Sequence, residues 1–327
     1  MSRELVVLGD VPRFMCREDG TFCFGTYRGI IDETSFARVG RGVRMRIKEE
    51  KAWQWWGVID EGFACGSAIV RLGYVSQGFI WFFDRESKTL LYNEEVTGLP
   101  HHGGVASSPI SSPVARFKGG WEVHRQGVGS CHMQGSLGQK GGIRWDVRMR
   151  GDVDAMTAIC PVGGAGSGRA NVTVKQAGLG ASGEIWLGER CFKLSARAQG
   201  MMDYTHGLLD RQTVWKWAIG AGETADGVPL SFNAVSGFND GLENVYWLDG
   251  VPCGLGEVTI TRGDARWVVE GEETRLELIV EGSRCADKDL WIASSKYEQP
   301  IGVWTGVLAG QAVGRMEGVA EDHHAKW

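Results

Sequence analysis

Short apolar runs broken by glycine recur along the whole chain, and no segment of twelve or more residues carries an apolar stripe at the helical period. Where a period shows, it is two. Ile143, Trp145, Val147 and Met149 share one face of GIRWDVRMRG (142–151), and Thr213, Trp215, Trp217 and Ile219 share one face of TVWKWAIGAG (213–222). Residues 51–96 read as a meander of strands with a hairpin predicted at Asp84-Arg85-Glu86-Ser87, and Asp249-Gly250 predicts a second tight turn. Glycine makes up 49 of 327 residues and Trp outnumbers Tyr by 14 to 6, which suits turns and strands. A chain that is almost all strand must close or stack its sheets to hide their edges. The expectation is an all-β protein in which two antiparallel β-barrel or sandwich units pack together.

The segment TGLPHHGGVASSPISSPV (97–114) holds three of the eight prolines. It is the best internal boundary in the sequence, and predicts an N-terminal β unit over 1–100, a Pro/Gly loop over 101–114 and a C-terminal β unit over 115–327. A net charge of −5 without a basic stripe argues against nucleic acid as a partner. No apolar window is long enough for a membrane-spanning helix, and MSRELVVLGD has no signal-peptide core, which points to the cytoplasm. The eight cysteines are evenly spread without a C-x-x-C pair, as expected of reduced thiols. No metal-binding, nucleotide-binding or serine-hydrolase motif is present, so neither metal nor cofactor is expected. Homodimerisation is compatible with the sequence.

The densest cluster of chemistry-bearing side chains is GMMDYTHGLLDRQTVWKWA (200–218). Asp203, Tyr204 and His206 can move protons once burial tunes their pKa values. Trp215 and Trp217 could stack on an unsaturated ligand or face a cation, and Arg211 could hold a carboxylate. The same residues also fit an Asx-type turn, core tryptophans and a surface ion pair. On a regular strand Asp203 and Thr205 face away from Tyr204 and His206, so all three proton-handling groups converge only across a bulge or turn. A second cluster, SFNAVSGFNDGLENVYWLDG (231–250), sets Asn233, Glu243 and Asn244 beside Trp247. EDHHAKW at the C-terminus reads as a solvated tail with Trp327 docking on the barrel, with His323 or His324 reaching the site as the alternative. His101 and His102 read as part of a linker or of a lid.

KAWQWW (51–56), LGYVSQGFIWFFDR (72–85), DYTHGLLDRQTVWKWA (203–218), ENVYWLDG (243–250) and GVAEDHHAKW (318–327) together resemble an uncharacterised, lipocalin-like (calycin) family of bacterial and fungal proteins, catalogued as a domain of unknown function. DYTHG with the downstream R-x-T-x-W-x-W is its most specific part, and the resemblance covers most of the chain. More remotely, the chain is similar to two-barrel calycin proteins that include the carotenoid hydratases (hydroxyneurosporene synthase) and the tocopherol cyclases. The resemblance implies two lipocalin-like units with a ligand cavity. It also implies cofactor-independent acid–base chemistry, as a hydratase or lyase, isomerase or cyclase, on the C=C of a small hydrophobic, isoprenoid or aromatic molecule. In that scheme Asp203 or His206 gives a proton and Tyr204 or Glu243 takes or orients one. Arg211, Trp215, Trp217, Asn233, Asn244 and Trp247 bind the substrate. A non-catalytic carrier of a hydrophobic ligand and a glycan-active β domain using Asp203 and Glu243 are the alternatives.

Overall fold

The structure is a computed structural model that describes residues 8–39, 42, 47–138, 142–263, 266–290 and 293–326. Trp327, expected to dock on the barrel, lies outside them. The described strands form two antiparallel-dominated sheets of 15 and 9 strands. The protein is nearly all β, with one almost closed barrel and a second half-barrel. Alternating burial along Ile143–Arg150 follows the period read from the sequence. Asp249 (φ 50°) and Gly250 (φ 78°) are both left-handed, as a two-residue hairpin turn requires.

In the first sheet, Thr89–Gly98, Ser76–Asp84, Phe63–Arg71 and Glu50–Ile59 lead onto Gln199–Leu208 and then Ala170–Leu187. The path continues through the strands between residues 103 and 150. In the second sheet Gln212–Thr224 lies between Pro229–Ser236 and the C-terminal strand Gln311–Lys326, followed by Ala293–Leu308 and Thr274–Leu290. The chain passes from one sheet to the other at residues 209–211. The segment 101–114, where the sequence divides the chain, instead stays with the first sheet and carries the short strand Gly103–Val105.

Three apolar layers result, and alternation distributes side chains among them. Trp56, Trp121 and Trp145 fill the first barrel. Phe232, Trp267 and Trp304 fill the concave side of the second sheet. Trp55, Trp81, Trp217, Trp247, Ile219, Ile301 and Val319 form a middle layer where the sheets pack. Both faces of the strands beside this layer are therefore buried, and Glu50–Ile59 and Gln199–Leu208 are buried along almost their whole length, polar side chains included. The cysteines carry free thiols, with Cys16, Cys65, Cys131, Cys160 and Cys253 buried.

Ala170–Leu187 organises the barrel. One edge pairs with Gln199–Leu208 and then with Arg190–Lys193; the other pairs with Met156–Pro161 and then with Ile143–Arg150. Gly183, at φ +121°, sits where the partners change, and a Cβ there would stand 2.1 Å from the Asp146 carbonyl oxygen. Gly183→Ala should lower the unfolding free energy by about 1–3 kcal/mol through strain and clash. Urea unfolding measures it, and an unchanged midpoint would show that this bend is not required.

Candidate active site

The site starts from strand register. Lys175 stands directly opposite Asp203, which in turn stands opposite Trp55; on the next rung of the same face Thr173, Thr205 and Trp53 line up. Side chains opposite one another on one face are natural contact partners. The Lys175 ammonium lies 2.7 Å from Asp203 Oδ1 and 3.2 Å from Glu243 Oε2. Thr205 donates to the same Asp203 oxygen at 3.2 Å. Glu243 comes from the connection that follows Pro229–Ser236, where Asn239 holds a left-handed backbone and donates its amide to Glu243 Oε1. Lys175, Asp203 and Glu243 are 3%, 6% and 2% exposed, so one cation and two carboxyl groups share a dry site.

That charge count decides the protonation state. Two ionised carboxylates beside one ammonium would leave a net negative charge buried, which low-dielectric surroundings strongly disfavour. Burial, with a further push from Asp203, raises the Glu243 pKa above its ordinary value of 4.5 despite the opposing pull of Lys175. For Lys175, burial works against the charge, but the two carboxylates outweigh it and raise its pKa. The favoured state is a protonated Glu243 carboxyl, an ionised Asp203 and a charged Lys175. The excess proton therefore rests on Glu243, the carboxyl whose pKa burial raises.

These groups form the polar floor of a pocket of about 150 Å³ between the two sheets. Its walls are aromatic. Trp53 stacks on Trp215 at 6.1 Å with planes 8° apart, and Trp55 meets Trp217 edge-on at 5.1 Å. The Lys175 ammonium lies 5.7 Å from the centre of the Trp217 ring. On the far wall Glu321 accepts from Trp215 Nε1 at 3.1 Å, and the His323 ring lies 4.2 Å from that of Trp215. Arg284 and Tyr297 also line the pocket, and Ser294, Ser295 and Lys326 are partly exposed at its edge.

The structure thus brings together Asp203, Glu243, Trp215 and Trp217 and separates the rest of the predicted set. Gln199–Leu208 pairs in unbroken register with Glu50–Ile59, with neither bulge nor turn at Asp203–Gly207. Tyr204 and His206 therefore point to the opposite face, into the first barrel, away from Asp203. There Thr34 Oγ1 lies 2.8 Å from both the Tyr204 hydroxyl and His206 Nδ1, and His206 Nε2 lies 3.0 Å from Glu50. Burial pushes the Tyr204 phenol above its usual range. Arg211 is exposed and does not line the pocket. Asn233 supports the site from behind, accepting from Trp217 Nε1 at 2.8 Å and donating to the Glu243 carbonyl at 2.8 Å. Asn244 accepts from the Val235 amide and donates to the Gly256 carbonyl, a turn-closing role. Trp247 is spent on the middle core, donating to the Asp154 carbonyl at 2.7 Å.

The C-terminal segment is not a solvated tail. It pairs with two neighbours as a central strand and puts His323 in the pocket wall, while His324 is exposed. His101 and His102 lie in a short 3-10 turn outside the pocket lining. Sequence reasoning missed Lys175. Its signal was present, a lone cation inside the apolar run ANVTVKQAGLG. Among the described residues, no three His, Cys, Asp or Glu side chains are grouped to hold a metal ion.

Fold and site together define a two-sheet β-barrel protein with an aromatic pocket built over a buried Lys–carboxyl cluster. The chain belongs to the domain-of-unknown-function family DUF2804, whose profile matches residues 8–327. Comparison with curated proteins returned no match. Among solved structures, one from Nitrosomonas europaea named as an AttH candidate is similar at a TM-score of 0.56 and 12% identity, covering 84% of this chain and 92% of its own. Kievitone hydratase from Nectria haematococca is similar at a TM-score of 0.53 and 10% identity, covering 91% and 97%. At these identities the likeness is one of fold. No described helix is long and apolar enough to cross a membrane.

The charge argument makes two stability measurements informative. A folded-state pKa raised above the unfolded value contributes stability that is complete below the ordinary glutamate range and is lost as pH rises through the elevated pKa. Wild-type stability should therefore fall as pH climbs above about 4.5, and Glu243→Gln should abolish that component of the slope. Lys175→Met strips two acids of their counter-charge and should cost about 3–5 kcal/mol. Chemical unfolding across pH tests both, and equal losses for the two variants would refute the assignment of the proton.

Proposed function

We propose that the inter-sheet pocket is the active site of an acid–base enzyme that hydrates, isomerises or cyclises a C=C of a small hydrophobic molecule without a cofactor. The observation that carries this reading is the buried Asp203–Lys175–Glu243 cluster under four tryptophans. Glu243, neutral, gives its proton to one alkene carbon. The positive charge that develops on the other carbon faces the rings of Trp215 and Trp217, which attract cations through their faces. Asp203, kept ionised by Lys175, takes a proton from an attacking water in a hydration, or from a neighbouring carbon in an isomerisation or cyclisation. The Lys175 ammonium touches both carboxyl groups, so passing one proton to Glu243 and accepting one from Asp203 resets the site. Asn233 is a positioning residue that holds Trp217 and the Glu243 backbone.

The fold shared with a protein named as a hydratase supports hydration as the first reaction to try. The volume supports a substrate whose reacting end is about the size of a single aromatic ring, since cavities of this size take up benzene. A glycan-active reading fares worse. Their contacts to one ammonium rule out the wide spacing of an inverting pair, and for the closer spacing of a retaining pair the Lys175 ammonium occupies the gap a glycosidic bond would need.

The test is turnover of alkene-bearing phenols, with kievitone first, followed by short isoprenoids, in deuterium oxide and in oxygen-18 water. The account predicts one non-exchangeable deuterium per turnover, with oxygen-18 in the product when the reaction is hydration. Glu243→Gln and Asp203→Asn should each lower kcat by about 10²–10⁴-fold. His206→Gln and Tyr204→Phe, on the other face, should leave kcat within a few fold while lowering stability. Recovery of every ligand chemically unchanged, bound more weakly by Trp215→Ala and indifferent to Asp203→Asn, would favour the carrier reading instead.

A further inference from the structure

Opposite the Lys175 cluster the pocket has a second polar end that the proposed chemistry leaves unused. Arg284 belongs to the second sheet but crosses to the first, where its Nε donates to Asn93 Oδ1 at 2.7 Å. Its guanidinium carbon lies 4.1 Å from the Phe79 ring centre and 4.6 Å from that of Tyr297. Arg284 is 1% exposed and Tyr297 8%. Both line the pocket and interact with each other, yet no acceptor stands within hydrogen-bond geometry of Arg284 Nη1 or of the Tyr297 hydroxyl. An unmade hydrogen bond at a buried charged donor is expensive, so two such donors at one end of a cavity mark a place where a ligand atom belongs.

We infer that Arg284 and Tyr297 form a subsite for a neutral acceptor oxygen, a carbonyl, on the molecule that fills the pocket. The inference rests on the reading of this pocket as a substrate site and narrows its substrate class to unsaturated carbonyl compounds. The chemistry of the donors sets the class. Arginine has no acceptor, so the ligand atom must accept. Burial raises the Tyr297 pKa, so its hydroxyl stays protonated and can donate. A carboxylate suits the place less well than a ketone, because Glu95 and Glu321 line the same pocket and already act on Arg284. Gln77 donates to Glu95 at 3.0 Å and Gln299 donates to Glu321 at 2.8 Å, which fixes both acidic side chains in place. A ligand whose oxygen is held at Arg284 and Tyr297 shares its pocket with the tryptophans, Glu243 and Asp203.

The experiment is equilibrium binding, read by quenching of tryptophan fluorescence, with three probes of one shape. They are benzalacetone, its analogue with CH₂ in place of the carbonyl oxygen, and trans-cinnamate. Wild type should bind the ketone about tenfold or more tighter than the CH₂ analogue, and tighter than cinnamate. Arg284→Met should erase the preference for the ketone. Tyr297→Phe, which removes a single oxygen and keeps the ring, should reduce it about threefold. The inference is overturned if wild type shows no preference for the ketone, if cinnamate binds tightest, or if the full wild-type preference survives in both Tyr297→Phe and Arg284→Met. The wild-type comparison stands even when a variant fails to fold. Binding needs no turnover, so the two readings fail separately. A ketone preference in a protein that transforms nothing leaves the subsite intact and removes the enzyme, and turnover of hydrocarbon alkenes with no ketone preference does the reverse.

Discussion

Everything at the centre of this protein depends on one ammonium group and the two carboxyl groups it touches. Lys175 is buried on an inner strand of the first sheet, where an unpaired cation would be untenable, and Asp203 on the neighbouring strand stands opposite it. Glu243 then arrives from the other half of the chain and makes the cluster one acid too many. That excess is what gives the site chemical potential. A balanced pair would be inert, whereas a third group held near neutrality keeps a transferable proton in a place from which water is largely excluded.

The fold supplies the rest through alternation. Each strand beside the middle layer sends one set of side chains into a barrel and the other into the pocket, so adjacent residues serve different ends. Tyr204 and His206 help close the first barrel, while Asp203 and Thr205 face the tryptophans. Trp217 is held by Asn233, and Asn233 also holds the backbone of Glu243, so the wall that faces a developing charge and the group that creates it share one support.

Much of this was legible in the sequence. The period of two in 142–151 and 213–222 predicted strands that exist, and the pressure to hide edges predicted paired barrels. Asp203, Glu243, Trp215 and Trp217 were singled out and stand in one pocket. The rest was hidden for definable reasons. A proline-rich stretch reports a break in strand pairing and says nothing of which sheet the next strand joins, so 101–114 reads as a boundary although the chain stays in the first sheet until residues 209–211. Choosing between a regular strand and a bulge at 203–207 needs the neighbours on both sides, and these lie some 30 and 150 residues away in sequence. Lys175 was visible as a charge in an apolar run, but its partners were not. Arg284 and Tyr297 carry no local signature at all, because their meaning comes from a contact between sheets.

The central claim is that the cluster holds a single extra proton, on Glu243, because a dry site tolerates no net charge. Infrared spectroscopy with isotope-labelled Asp and Glu side chains observes that proton directly. The account predicts a protonated-carboxyl stretch at neutral pH in the wild type that vanishes in Glu243→Gln. It must vanish in Asp203→Asn as well, because one carboxylate then suffices to balance Lys175. A wild-type spectrum without that stretch, or an Asp203→Asn spectrum that keeps it, would contradict the account.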